Sequence, residues 1–178
     1  MTDFNKIVNR RGTNCIKWDI KALEDREDVL PMWVADMDFE AAPGIVAAME
    51  KVMNHKVFGY RFNSQDYKQV IIDWFLKRHG YRIERDWICY LPNVVAGLSI
   101  GVQTVSEPGD EIILNTPVYG PFYRAVTDNG RIVKECPMIE TNGRYTMDFK
   151  AMEASITPKT KAVMLCNPHN PGGRVWTE

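Results

Sequence analysis

The sequence predicts an α/β fold in which a mostly parallel sheet carries helices on its faces. Three observations point there. Apolar runs of strand length, Trp87–Leu91, Glu111–Asn115, Arg131–Cys136 and Ala162–Cys166, alternate with stretches of helical spacing. The last run is continuously apolar, as a strand buried on both faces must be. The 178 residues are 45% hydrophobic, enough for one sizeable core, and show no internal repeat or low-complexity linker.

Taken in order, the chain opens with a charged, turn-rich arm, Asn9–Asn14 followed by Lys17-Trp18-Asp19, which by itself reads as a solvated loop. Leu30–Val34 reads as a short apolar strand entering an acidic turn, whose Asp36 and Asp38 are suited to capping the next helix. Pro43 fits a first helical position, and the helix runs towards His55 with Ile45, Val46, Met49, Val52 and Met53 on one face, a stripe expected in the core. Phe58-Gly59-Tyr60 follows as a cap with aromatic packing. From Ser64 to Gly80 lies the clearest helix, with Tyr67, Val70, Ile71, Trp74 and Phe75 at helical spacing, Ser64 at its start and Gly80 at its end. His79 is expected at the helix C-terminus rather than in catalysis.

Pro92-Asn93 turns the strand at 87–91 into a helix beginning at Val94. Such a turn leaves backbone N–H groups free at the positive end of a helix dipole, which suits a phosphate monoester. There is no Gly-x-Gly-x-x-Gly and no Walker lysine, and most strand-to-helix turns bind nothing, so the spacing alone does not select a ligand. After the strand at 111–115, Thr116–Pro121 holds Tyr119 between prolines and a glycine. It can present a flat face at low entropic cost or simply pack as a loop tyrosine. A helix to Asn129 is closed by Gly130, Asn142-Gly143 signals a hairpin, and Asp148 caps a short helix that Pro158 breaks. Cys166-Asn167-Pro168-His169-Asn170-Pro171-Gly172-Gly173-Arg174 follows the last strand. Its two Asn-Pro steps either punctuate a turn or hold the Asn170 amide in a stiff frame at the carboxyl end of a strand, where open α/β sheets place ligands.

A formal net charge of −1, with Lys and Arg spread along the chain, argues against a nucleic-acid binder or a polybasic membrane patch. Met1–Lys6 lacks the apolar core of a signal peptide, so a cytoplasmic protein is expected. Cys15, Cys89, Cys136 and Cys166 are too far apart for a Cys-x-x-Cys pair, and neither zinc nor a disulfide framework is indicated. Ile88–Ser106 carries no charge, but Pro92-Asn93 splits it and Ser99, Gln103 and Thr104 make it too polar for lipid.

Asn167-Pro-His-Asn-Pro-Gly-Gly-Arg-Val-Trp176 resembles the Asn-Pro-x-Asn-Pro-x-Gly segment of fold-type I aminotransferases, which bind pyridoxal 5'-phosphate (PLP). His169 with Arg-Val-Trp, Val34-Ala-Asp-Met-Asp38 and Val94-Val-Ala-Gly-Leu98 resemble the cystathionine β-lyase and maltose-regulon-modulator branch of carbon–sulfur lyases. The resemblance implies a three-layer α/β/α large domain, incomplete over 58–178, preceded by an arm and small-domain segment over 1–57. It assigns the cofactor phosphate to the backbone of Val94, Val95 and Ala96, ring stacking to Tyr119, and a hydrogen bond to the ring hydroxyl oxygen to Asn170. Tyr60 is assigned to the phosphate of the other subunit in a homodimer, and Ala35 and Asp36 to the edge of the substrate.

The activity so implied is β-elimination from a sulfur amino acid, giving a thiol, pyruvate and ammonia. Transamination shares every residue visible here, and a non-catalytic regulatory or interaction protein on the same fold is the alternative of another class. The Schiff-base lysine, the carboxylate partner of the pyridinium nitrogen and the substrate-binding arginine are expected beyond Glu178, since Lys159 and Lys161 match no Schiff-base motif. By itself the 178-residue chain is therefore expected to be inactive, with no catalytic residue of its own and no metal.

Overall fold

In the computed structural model, residues 3–23, 26, 28–60 and 65–177 are described. The chain divides into two compact units, 1–64 and 65–178. The first unit holds a 3-10 turn at Lys21–Leu23 and one helix, α1, Pro43–His55. Pro43 stands at the expected first position, and Lys56 closes the helix in a left-handed conformation with its N–H on the Met53 carbonyl.

The second unit begins with α2, Gln65–His79, and continues through α3 (Val94–Val105), β1 (Glu111–Thr116), α4 (Gly120–Thr127), β2 (Ile132–Pro137), β3 (Ile139–Thr141), β4 (Arg144–Thr146), α5 (Phe149–Ser155) and β5 (Thr160–Met164). β1 is central, with β2 and β5 parallel to it on either side. Its Ile112, Ile113 and Leu114 have no exposure. Because side chains alternate along a strand, β1 serves two faces. Ile112 joins Val102 of α3 and Val126 of α4 in the core cluster. Asn115, from the opposite side of the pleat, donates to the Met152 sulfur of α5 at 3.0 Å. Its register partner Cys136 on β2 lies 3.3 Å from Ser155 of the same helix. Helices thus cover both faces, the layered α/β arrangement that the alternation predicts.

Local chemistry sets the connections. Asn142 and Gly143 both have positive φ, +51° and +75°, as a two-residue hairpin turn requires, and they join antiparallel β3 and β4. Asp148 caps α5 by accepting from the Ala151 N–H at 2.9 Å. Gly80, at φ +63°, ends α2 with its N–H on the Leu76 carbonyl at 3.0 Å, and His79 is the last helical residue. Ser64, expected to cap that helix, lies outside the described residues.

Several expectations fail. Leu30–Val34 is not a strand, and Asp36 and Asp38 do not cap α1, whose N-cap is Ala42 without a side-chain bond. Trp87–Leu91 is not a strand either: Arg85–Trp87 form a 3-10 turn and Ile88 continues extended. A strand exists through its ladder, and no strand among the described residues runs beside this one. The stripe on α1 is not core, since none of its residues is buried; the period shows which side is apolar, whereas burial needs a facing element. No helix among the described residues is long and apolar enough to cross a membrane.

Candidate active site

The carboxyl ends of β1 and β5 lie side by side because the strands are parallel neighbours, so the loops that leave them meet. Tyr119, the N-cap of α4, donates its backbone N–H to the carbonyl of Asn170 at 2.9 Å. Tyr119 is 46% exposed, and Asn170 is exposed, its side chain with no hydrogen-bond partner among the described residues. An aromatic face and a free amide are thereby held at one end of the sheet.

The loop carrying Asn170 is closed on itself. His169 N–H donates to the Arg174 carbonyl at 2.6 Å and its carbonyl accepts from Gly173 N–H at 2.9 Å. Trp176 donates its Nε1–H to the Cys166 carbonyl at 2.8 Å and its backbone N–H to Asn167 Oδ1 at 3.1 Å. Arg174 lies over the Trp176 ring and donates to the Tyr145 carbonyl. The stiffness expected of the Asn-Pro steps is thus reinforced by side chains that spacing alone did not single out.

At the start of α3, Asn93 accepts from the Ala96 N–H at 2.8 Å. Ala96 therefore has its N–H engaged, while those of Val94 and Val95 have no acceptor among the described residues and stand at the positive end of the helix. α3 packs on α4, the helix that Tyr119 begins. A cavity of about 590 Å³ lies elsewhere, between α5 and β5, lined by Met152, Val163, Leu165 and Trp176 among others and by none of the candidate residues.

Ala35, Asp36 and Tyr60 belong to the first unit, and all three are exposed. Asp36 is bonded to Arg10. The same guanidinium reaches Asp38 at 2.6 Å, while Lys17, nearly buried, donates to the other Asp38 oxygen at 2.7 Å and to the Asp36 carbonyl at 2.9 Å. Trp18 adds an indole N–H to Asp38 at 2.8 Å. Bonds from Lys17, Trp18 and Arg10, in that order of effect, hold the Asp38 carboxyl far below the usual carboxylate range. The arm at Arg10–Trp18 thus grips the acidic turn, a function for its charges that the sequence did not disclose.

Residues 27–178 match the family described as aminotransferase class I and II. The chain belongs to that family. Among its relatives, the aminotransferase class I and II chain is 41% identical to cystathionine beta-lyase PatB of Bacillus subtilis over 98% of its own length and 46% of PatB. It is 36% identical to protein MalY of Escherichia coli, covering 99% of itself and 46% of MalY. Its fold superimposes on cystalysin from Treponema denticola, a crystal structure that contains a pyridoxal 5'-phosphate cofactor, with a TM-score of 0.91 and 35% identity, over 100% of this chain and 46% of cystalysin. The chain spans about half the length of these relatives.

Proposed function

We propose that the protein carrying this sequence is a PLP-dependent carbon–sulfur β-lyase that releases a thiol, pyruvate and ammonia from a cystathionine-like amino acid. The observation that carries this reading is the 2.9 Å bond between Tyr119 N–H and Asn170 C=O, which sets an open aromatic face beside an open amide at the carboxyl end of parallel strands. The donor set fits a pyridine phosphate. Two unbonded amides at a helix N-terminus suit the anionic tail, the Tyr119 ring suits one face, and the Asn170 amide suits the phenolic oxygen. The name of cystathionine beta-lyase PatB supports the lyase reading, and the pyridoxal 5'-phosphate held by cystalysin supports the cofactor.

In this reading Val94 and Val95 hold the phosphate, and Ala96 contributes by locking the turn through Asn93. Tyr60 completes the phosphate site of a second copy in a cytoplasmic homodimer. Ala35 and Asp36 edge the substrate, with Asp36 oriented by Arg10. Residues 1–57 belong to the arm and small-domain segment and 58–178 to the cofactor-binding domain. When bound, PLP supplies an electron sink for charge at the substrate α-carbon. The lysine that anchors the cofactor and takes the α-proton is supplied from outside these residues, so the 178-residue chain alone turns over no cystathionine. Pyruvate formation by that isolated chain contradicts this.

The test is to assay the full-length protein, loaded with PLP, for pyruvate and thiol from L-cystathionine. Release without any added keto acid is the expected result. Product formation that depends on a keto acid selects transamination, the second reading, which the match to the aminotransferase class I and II family favours.

A further inference from the structure

We propose that His169 is a positioning residue that sets Tyr119 and Asn170 against the cofactor by donating Nε2–H to the carbonyl of Pro117. The inference rests on the PLP reading above. His169 is 3% exposed, and its Nε2 lies 2.8 Å from the Pro117 oxygen. A carbonyl only accepts, so in this bond Nε2 carries the proton and donates it. Pro117 is two residues before Tyr119, and His169 immediately precedes Asn170. The side-chain bond and the Tyr119-to-Asn170 backbone bond therefore clamp the same two loops at two points.

The remaining surroundings hold the ring in place. Trp176 meets it edge-on with centroids 5.5 Å apart. At Gly172 a Cβ would stand 2.9 Å from His169 Cδ2, so glycine there leaves the imidazole its room. Nδ1 is buried and has no partner among the described residues. Burying an unbonded ring nitrogen is a cost that an apolar ring or leucine would avoid, so packing alone gives no reason for histidine. The donated Nε2–H does.

The experiment uses the full-length protein with added PLP and compares wild type, H169L, H169Q and G172A. H169L removes the donor, H169Q returns an N–H near the Nε2 position, and G172A keeps the imidazole but displaces it. Readouts are the cofactor's visible absorbance and circular dichroism, its dissociation constant, and kcat and KM for thiol release. H169L and G172A are expected to weaken PLP by about tenfold, the ratio that one neutral hydrogen bond is worth, and to diminish the visible dichroic band. H169Q is expected to recover most of the band and the affinity. Equal affinity and dichroism in H169L and wild type overturn the inference, as does a folded H169Q that binds no better than H169L. If H169L does not fold, H169Q and G172A decide between the same outcomes. Wild type that shows no PLP absorbance overturns the PLP reading and this inference with it; a normal wild type beside unaffected variants overturns this inference alone.

Discussion

Asp38 is where individual charges matter most. Three donors converge on its carboxylate, and one of them, Lys17, is almost withdrawn from water. A carboxyl whose folded-state pKa is depressed stabilises the fold above its ordinary value, and that contribution fades as pH falls towards the folded-state value. The thermal stability of wild type should therefore fall as pH drops below about 4, the ordinary aspartate range. D38N should be less stable near neutral pH and lose less on acidification, because the titrating partner is gone and Lys17 is left short of a charge. Parallel stability-versus-pH curves for the two proteins would contradict this. Nothing in residue type identified the partners: Asp36 and Asp38 suited a helix cap equally well, and only the path of the arm brings Arg10 and Lys17 to them.

Among elements, α3 and α5 begin with side-chain caps, from Asn93 and Asp148. Removing a cap of this kind costs about 1 kcal/mol, so N93A should shift the urea midpoint accordingly without changing the slope. An unchanged midpoint would mean that the helix start is held by tertiary packing instead. The start of α3 was legible from the Pro92-Asn93 turn, α5 from its Asp148 cap, and α1 from Pro43; the Asn93 cap itself was not. The run at Trp87–Leu91 was not, because strand-like composition describes a surface that could pair, whereas pairing depends on a neighbour. The same limit applies to Leu30–Val34, where an apolar pentapeptide meets no ladder.

Across the molecule, burial is concentrated on β1 and the helices that flank it, while Met49, Met53, Val70, Trp74, Ile100 and Val163 stand in water. β5 pairs with β1 and with no other strand among the described residues, so its other edge is open. Exposed apolar side chains on this scale, together with an unpaired strand edge, favour association. The 178-residue chain should elute from a sizing column as concentration-dependent oligomers, and a monodisperse monomer at every concentration would refute that.

The order of strands and helices from α3 onwards, the hairpin at Asn142-Gly143, the cap at Asp148 and the loop around Asn170 at the end of the last strand followed from sequence, because each depends on local dihedral preference and apolar period. The membership in aminotransferase class I and II was legible too, in the Asn-Pro-His-Asn-Pro segment. Tertiary structure alone decided which loops touch: that Tyr119 bonds to Asn170 across two strands, that His169 reaches back to Pro117, and that Lys17 serves Asp38. These contacts join residues 21 or more positions apart, and their existence depends on strand neighbourhood and chain path, which no local preference encodes.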